Sequence, residues 1–147
     1  MQSTTTQKAP TLEKIKEKVK KVNALLKKGE PGNISKDKFS GYTGYKPQYI
    51  IDAMNAVMFG EWSFEEISNQ LVDKDDNGKP KLAVASVKVF LKGLAQEFKA
   101  YGQSKVTRGD FGDARKGAQT DAIKKALSYF SIGNRAYHGK LEVGGKK

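Results

Sequence analysis

The residues best placed to do chemistry in this sequence are cations in pairs, and the clearest pair lies in TDAIKKALSYFSIGNRAYHG, residues 120–139. Lys124 and Lys125 are adjacent there, and Asp121 precedes them by three and four positions. Such ammonium groups can hold the phosphates of a nucleic-acid backbone, because lysine acts as a point charge and needs no base readout. The same residues can instead form the solvated face of a packed helix, and periodicity alone leaves both interpretations open.

Cations and aromatic rings also alternate on two predicted strands. Lys88, Phe90 and Lys92 lie two residues apart, so two cations flank a ring on one strand face. Lys99 and Tyr101 share a face of the next strand. Such a surface can neutralise phosphates and offer rings for stacking. The alternative is an ordinary solvent face, since exposed faces of antiparallel sheets are often lysine-rich.

The residues needed for most enzymatic chemistry are missing. The sequence has no cysteine and one histidine, His138, which excludes Ser-His-Asp and Cys-His nucleophiles and cysteine or histidine metal clusters. No GxxxxGK[ST] loop is present, so an ATP-driven motor is not expected. The acidic segment DKDDNGK at 73–79 has Val84 where a calcium loop needs a glutamate, and Asn77-Gly78 indicates a hairpin turn. We therefore predict a protein that is not an enzyme and has no cofactor or metal.

Charge is segregated along the 147 residues. The chain has 27 basic and 16 acidic residues, for a net charge of +11. Residues 1–40 carry 10 basic residues against 4 acids (+6), residues 41–80 carry 3 against 7 (−4), and residues 81–147 carry 14 against 5 (+9). This uneven field favours a polyanionic partner such as nucleic acid over a merely soluble basic protein.

The elements that must position these residues form an α+β domain. Apolar periodicity predicts a basic helix that begins after the N-cap Thr11 and ends at Gly29, and a second helix over 47–59. Three antiparallel strands and a long helix follow, at 62–72, 83–92, 96–101 and about 113–131. The segments 39–45 and 103–113 are predicted to be loops.

The last helix has two distinct sides. Alanines recur every four residues and form a ridge that allows close approach to the sheet or to a neighbouring subunit: Ala114, Ala118, Ala122 and Ala126. Thr120, Asp121, Lys124 and Ser128 fall on one polar face at 100° per residue. Lys125 lies at the edge of the ridge, so we expect it closer to the packed side than Lys124.

Four segments together carry a resemblance to a known family: YIIDAMNAVMFGEWSF (49–64), VKVFLKG (87–93), EFKAYG (97–102) and ARKGAQTDAIKKALSYFSIGN (114–134). They resemble the single-strand annealing domain of the Rad52 recombination family, over about residues 40–139. The resemblance is to its bacterial and phage branch, which includes the DNA-damage-response protein DdrA. The most specific piece is TDAIKKAL followed by F-x-x-GN.

The resemblance implies a β-β-β-α core whose subunits assemble side by side into a ring. Single-stranded DNA would lie in a basic groove with its bases exposed, and complementary strands would anneal without nucleotide hydrolysis. The DNA-binding positions that we predict comprise those carried over from the family and further cations of the same surfaces: Lys46, Lys88, Lys92, Lys99, Lys105, Arg108, Arg115, Lys124 and Lys125. The family's recombinase-recruiting C-terminal region has no counterpart here, and other recombination or replication partners stay unknown.

Three positions depart from the family pattern. Ser128 stands where the family has a further basic residue. Ile50 stands at the site of a family arginine, and Lys46 is the cation that can compensate. The loop 103–112 is short, so either Lys105 or Arg108 supplies its basic position.

The sequence thus predicts an intracellular homo-oligomer for DNA repair and recombination, with residues 1–10 as a disordered tail, 11–139 as the DNA-binding domain and 140–147 as a basic tail. No apolar run is long enough for a membrane span. Three other functions stay open: a DNA-end protector with little annealing activity, a small metal-dependent nuclease, and a basic protein that coats RNA or a membrane.

Overall fold

The computed structural model describes residues 11–26, 34–36 and 43–133. Within these ranges the elements follow in the order α1 (Leu12–Leu26), β1 (Ile34–Lys36), β2 (Thr43–Tyr45), α2 (Pro47–Met58), β3 (Trp62–Lys74), β4 (Pro80–Leu91), β5 (Glu97–Lys105) and α3 (Phe111–Ser128). The α+β class and the β-β-β-α core are confirmed. The predicted tails at 1–10 and 140–147 lie outside the described residues, as do the last residues of the predicted domain.

Helix α1 begins where the sequence predicts. The Thr11 hydroxyl accepts a hydrogen bond from the Lys14 backbone N–H at 3.3 Å, which satisfies one of the donors left open at a helix start. Its apolar stripe is narrower than the periodicity suggests. Ile15, Val22 and Leu26 are buried against the core, whereas Leu12 and Leu25 stay largely exposed.

The segment 39–45 was expected to be a loop, and for its described part this is wrong. Thr43–Tyr45 forms strand β2, which pairs antiparallel with β1 in the register Ile34 to Tyr45. The sequence hides this strand because Gly44 lies at its centre, and glycine weakens a strand signal. Tyr45 is buried at 1% exposure, so this small sheet is fixed to the core.

The three-stranded sheet is antiparallel in the order β3-β4-β5. Its first turn matches the hairpin prediction for residues 73–79. The Asp75 carboxylate accepts hydrogen bonds from the backbone N–H groups of Asn77 and Lys79 at 2.8 and 2.9 Å. Gly78 takes the left-handed conformation with φ +78°, which glycine adopts without steric cost.

The side chains of strand β4 alternate between the two faces of this sheet. Its inner face packs on α3 and carries the buried residues Ala83, Ala85, Val87, Val89 and Leu91. We call the opposite side, which bears Lys88, Lys99 and Tyr101, the outer face. The alternation predicted for this strand is confirmed.

The alanine ridge of α3 packs on the inner face. Its four alanines are all at 1% exposure or less. Gly102 of β5 allows this close approach, because a Cβ there would lie 2.2 Å from the Ala122 backbone nitrogen and 2.4 Å from the Ala118 carbonyl oxygen. Of the two partners expected for the ridge, the sheet is the one that contacts it within the chain.

The predicted loop 103–113 is mostly regular structure, so its bounds are corrected. The ladder between β4 and β5 continues to the pair Leu82 and Lys105. Helix α3 starts at Phe111, where the Asp110 carboxylate accepts from the Asp113 N–H at 2.9 Å and caps the helix. The polar residues of this segment suggested a loop, but several of them belong to the end of β5 and to the N-cap of α3, where polar residues are also common. Only the short connection between these two elements is irregular.

The end of α3 is tied to α1. Gly133 adopts φ +70°, and its N–H donates to the Asn23 side-chain oxygen at 2.9 Å. The Asn23 amide in turn donates to the Ser131 carbonyl at 2.8 Å. In the part of the chain that is described, no helix is both long and apolar enough to cross a membrane.

Candidate nucleic-acid interface

One carboxylate organises the lysine pair of α3. Asp121 lies 3.5 Å from the Lys124 ammonium and 3.0 Å from that of Lys125, and its Oδ2 also accepts the Gln103 backbone N–H at 3.0 Å. Helical spacing places both lysines near the acid, since residues three and four apart are neighbours on a helix surface. We call Asp121, Lys124 and Lys125 the lysine cluster. It lies where α3 meets the edge strand β5.

The two lysines differ in burial, and the predicted order is wrong. The Lys124 side chain is 18% exposed and that of Lys125 is 41% exposed. Lys124 is the more enclosed because the β1–β2 hairpin reaches it: a Cβ built on Gly44 would lie 3.8 Å from the Lys124 nitrogen. The helix pattern contained no sign of this hairpin, so periodicity could not rank the pair.

Lys46 directly follows strand β2. It is exposed and occupies the N-cap position of α2, two residues after Gly44. Two residues of extended chain span at most about 7 Å, so its backbone lies close to the hairpin that contacts Lys124. The structure therefore places the backbone of Lys46 near Lys124, and Lys124 near Lys125 through their shared partner Asp121.

A second set of predicted residues lies on the outer face. Lys88 forms an ion pair with Glu97 at 3.2 Å, and both side chains are about two-fifths exposed. Lys99 stands opposite Lys88 in the ladder, and its ammonium lies 5.1 Å from the centre of the Tyr101 ring. This distance is within the range of a cation–π contact. The predicted shared face of Lys99 and Tyr101 is confirmed.

The remaining predicted cations are dispersed. Lys92 is exposed just after β4, and Lys105 ends β5 on the outer side. Arg108 is exposed in the connection to α3 with φ +55°. Arg115 lies on the β3 side of α3, where its carbonyl accepts from the Asn69 side chain at 3.0 Å. Within one chain, the nine residues thus do not form one continuous patch: some lie on the outer face, and others lie on or beside α3.

A polar groove of about 300 Å³ lies between β3 and α3. Its lining mixes both charges and two amides: Glu66, Asn69, Arg115, Lys116 and Gln119. Its two cations and one acid give the groove the same net charge of +1 as the lysine cluster. No group of three or more His, Cys, Asp or Glu residues that could hold a metal ion occurs within residues 11–26, 34–36 and 43–133.

Two departures from the family pattern have a structural explanation. The Ser128 hydroxyl donates to the Lys125 carbonyl, so this side chain folds back onto its own helix. Ile50 is fully buried, and its Cδ1 would lie 3.0 Å from a Cβ built on Gly133. A charged side chain at position 50 would therefore enter the core.

Sequence reasoning missed two contacts of the lysine cluster: the ion pairs of Asp121 with both lysines, and the bond from the Gln103 N–H to Asp121. Asp121 was assigned only to a polar helix face, although its spacing from both lysines was a readable signal for ion pairs. The Gln103 N–H could not be found from sequence, because its contact depends on how α3 crosses β5.

A model of the Rad52/22 family of double-strand break repair proteins matches residues 12–145. The chain belongs to this family. Membership confirms the resemblance at the level of the Rad52 family and places the chain among DNA repair and recombination proteins. A search of curated proteins finds no match to the chain.

Proposed function

We propose that this Rad52-family protein binds single-stranded DNA by its backbone and anneals complementary strands without nucleotide hydrolysis. The observation that carries the proposal is the lysine cluster, in which two adjacent ammonium groups are held at the junction of α3 and β5. Lysines there can neutralise phosphates while the bases stay free to pair. The chain supplies binding rather than catalysis, so we also propose that it is not an enzyme.

The position of the cluster suits a continuous strand. Strand β5 is one of the two edges of the sheet, so a DNA backbone lying along it can meet the cluster and then the exposed outer-face residues Lys99 and Tyr101. Lysine charge gives affinity, and a ring can stack with any base. Subunits placed side by side would repeat this surface, and we propose the oligomeric ring on that basis.

One mixing experiment tests the proposal. Two complementary labelled oligonucleotides are combined with the protein without ATP, with and without magnesium, and duplex formation is followed in time. Faster duplex formation than in buffer, without ATP, is the expected result. The absence of any acceleration at protein concentrations that bind each strand would contradict the annealing proposal.

Other outcomes of the same experiment identify the alternatives. Protection of strands from an added exonuclease without faster annealing would indicate an end protector of the DdrA kind, and with it the bacterial and phage branch. Magnesium-dependent shortening of the strands would indicate a nuclease. Light scattering of the free protein measures the subunit number, and a monomer at working concentration would contradict the ring.

A further inference from the structure

Asp121 has more partners than a surface carboxylate needs. It contacts two ammonium groups and one backbone N–H, and its side chain is 18% exposed. Its Oδ2 is shared between Lys125 and Gln103, so the orientation of the carboxylate is fixed by the sheet as well as by the lysines. The lysine cluster therefore carries two positive charges and one immobile negative charge.

We propose that Asp121 is an electrostatic brake, which competes with DNA phosphate for Lys124 and Lys125 and keeps the hold on single-stranded DNA weak and rapidly reversible. This inference rests on the proposed function. Asp121 acts through the two lysines, so it is a positioning residue rather than a group that binds DNA itself.

The geometry explains why the carboxylate stays in place when DNA arrives. A phosphate that replaces Asp121 at the lysines leaves the Gln103 N–H contact intact, so the acid does not swing away. The phosphate and the carboxylate then lie a few ångströms apart, and their repulsion offsets part of the lysine attraction. An exposed acid on a free side chain would move aside and exert little effect.

Weak, reversible binding of DNA would favour annealing. Complementary strands must be sampled in many registers before the correct one is found, and the duplex must leave the protein. A cluster that held every phosphate tightly would slow both steps. The net charge of +1 in the lysine cluster attracts DNA and still allows it to slide or dissociate.

The test substitution is Asp121→Asn, because the amide oxygen can still accept the Gln103 N–H while the negative charge is removed. The matched control is Asp76→Asn, which makes the same charge change in the exposed turn between β3 and β4. We expect D121N to bind a labelled oligothymidine about 3- to 10-fold more tightly than the wild type does. D76N is expected to stay within about twofold of the wild type.

Two further readouts separate a brake from a structural role. D121N should dissociate more slowly in a stopped-flow chase and should anneal more slowly at saturating protein. Its log Kd should depend more steeply on log salt, by up to about one unit of slope. In a Lys124→Ala, Lys125→Ala background, D121N should no longer tighten binding, because the brake acts only through those two lysines.

Clear outcomes would overturn the inference. Equal or weaker binding by D121N, with the circular dichroism spectrum and thermal midpoint of the wild type, would make Asp121 a structural residue. An equal gain in the lysine-less background, or with D76N, would reduce the effect to net charge. If D121N fails to fold, Asp121→Ser replaces it, since it also removes the negative charge and keeps a small polar side chain, and the same tightening is required.

The failures of the two proposals are distinguishable. If the wild type does not bind the oligonucleotide, or if the double lysine variant binds as well as the wild type, the proposed function is wrong. If the wild type binds, the double variant loses binding and D121N shows no gain, only the brake is wrong.

Discussion

The lysine cluster and the outer face use the same residue type in opposite ways. In the cluster, one acid at 18% exposure contacts two lysines and is itself held by a backbone N–H, so the more enclosed Lys124 and the acid have defined positions, although Lys125 is as exposed as Lys88. On the outer face, Lys88 pairs with Glu97 in an exposed arrangement, and Lys99 rests over a ring. Exposed ion pairs contribute little and rearrange readily. The comparison teaches that preorganisation, more than the number of lysines, separates a candidate binding site from a solvated surface.

Gly102→Ala would disrupt the packing of α3 on β5, which positions the lysine cluster. The added methyl group would collide with backbone atoms of Ala118 and Ala122, which cannot move aside as a side-chain end can. We expect a loss of about 3 kcal/mol in the free energy of unfolding, measured by chemical denaturation. Gly112→Ala is the control, because its Cβ would meet only ordinary contact at 3.8 Å. Equal stability of the two variants would contradict the close packing of α3 on β5.

Lys124→Ala with Lys125→Ala removes the cluster cations and should have the largest effect on DNA binding. We expect a loss of more than about tenfold in affinity for an oligothymidine, and a decrease of roughly 1.4 in the salt slope, because two phosphate contacts disappear. The control is Lys20→Ala with Lys21→Ala, an adjacent exposed pair on α1 that removes the same charge. Assembly size by light scattering should be unchanged, and equal losses in both double variants would show that only net charge matters.

Lys88→Ala with Lys99→Ala tests the outer face. Both lysines are exposed or half-exposed, and one is already neutralised by Glu97, so we expect only about a two- to fivefold loss in affinity. Fluorescence anisotropy under the same salt conditions provides the measurement. A loss larger than that of the α3 pair would reverse the ranking of the two regions.

Ser128→Lys should have the smallest effect and the opposite sign. The serine hydroxyl now bonds to the helix backbone, and a lysine would extend from the last residue of α3 near Lys125. We expect about a two- to threefold gain in affinity, because one further cation joins the region. Weaker binding by a variant with the wild-type thermal midpoint would show that the DNA path does not pass this end of the helix.

Much of the fold could be predicted because local patterns determine it. The alternation in β4, the alanine ridge of α3 and the turn at Asn77-Gly78 each depend on residues close in sequence. The pairing of β1 with β2 could not be predicted, since each strand has only three residues and Gly44 at the centre of β2 weakens the strand pattern.

In the candidate site, too, local features could be predicted from the sequence and tertiary contacts could not. The lysine pair was found from its adjacency and from the charge of its segment. Which lysine is more enclosed depends on the hairpin, and the orientation of Asp121 depends on an N–H of β5. Both are tertiary contacts, and single-sequence periodicity contains no information about them.

The bond between Asn23 and the end of α3 has a consequence for the order of folding. Its two hydrogen bonds join residues 108 and 110 positions apart, so they close almost the whole described domain into one loop. Contacts at such separation carry a high entropic cost before they form, and they raise the contact order of the chain. We expect the sheet and α3 to assemble first and α1 to be added last, when Val22 and Leu26 close the core.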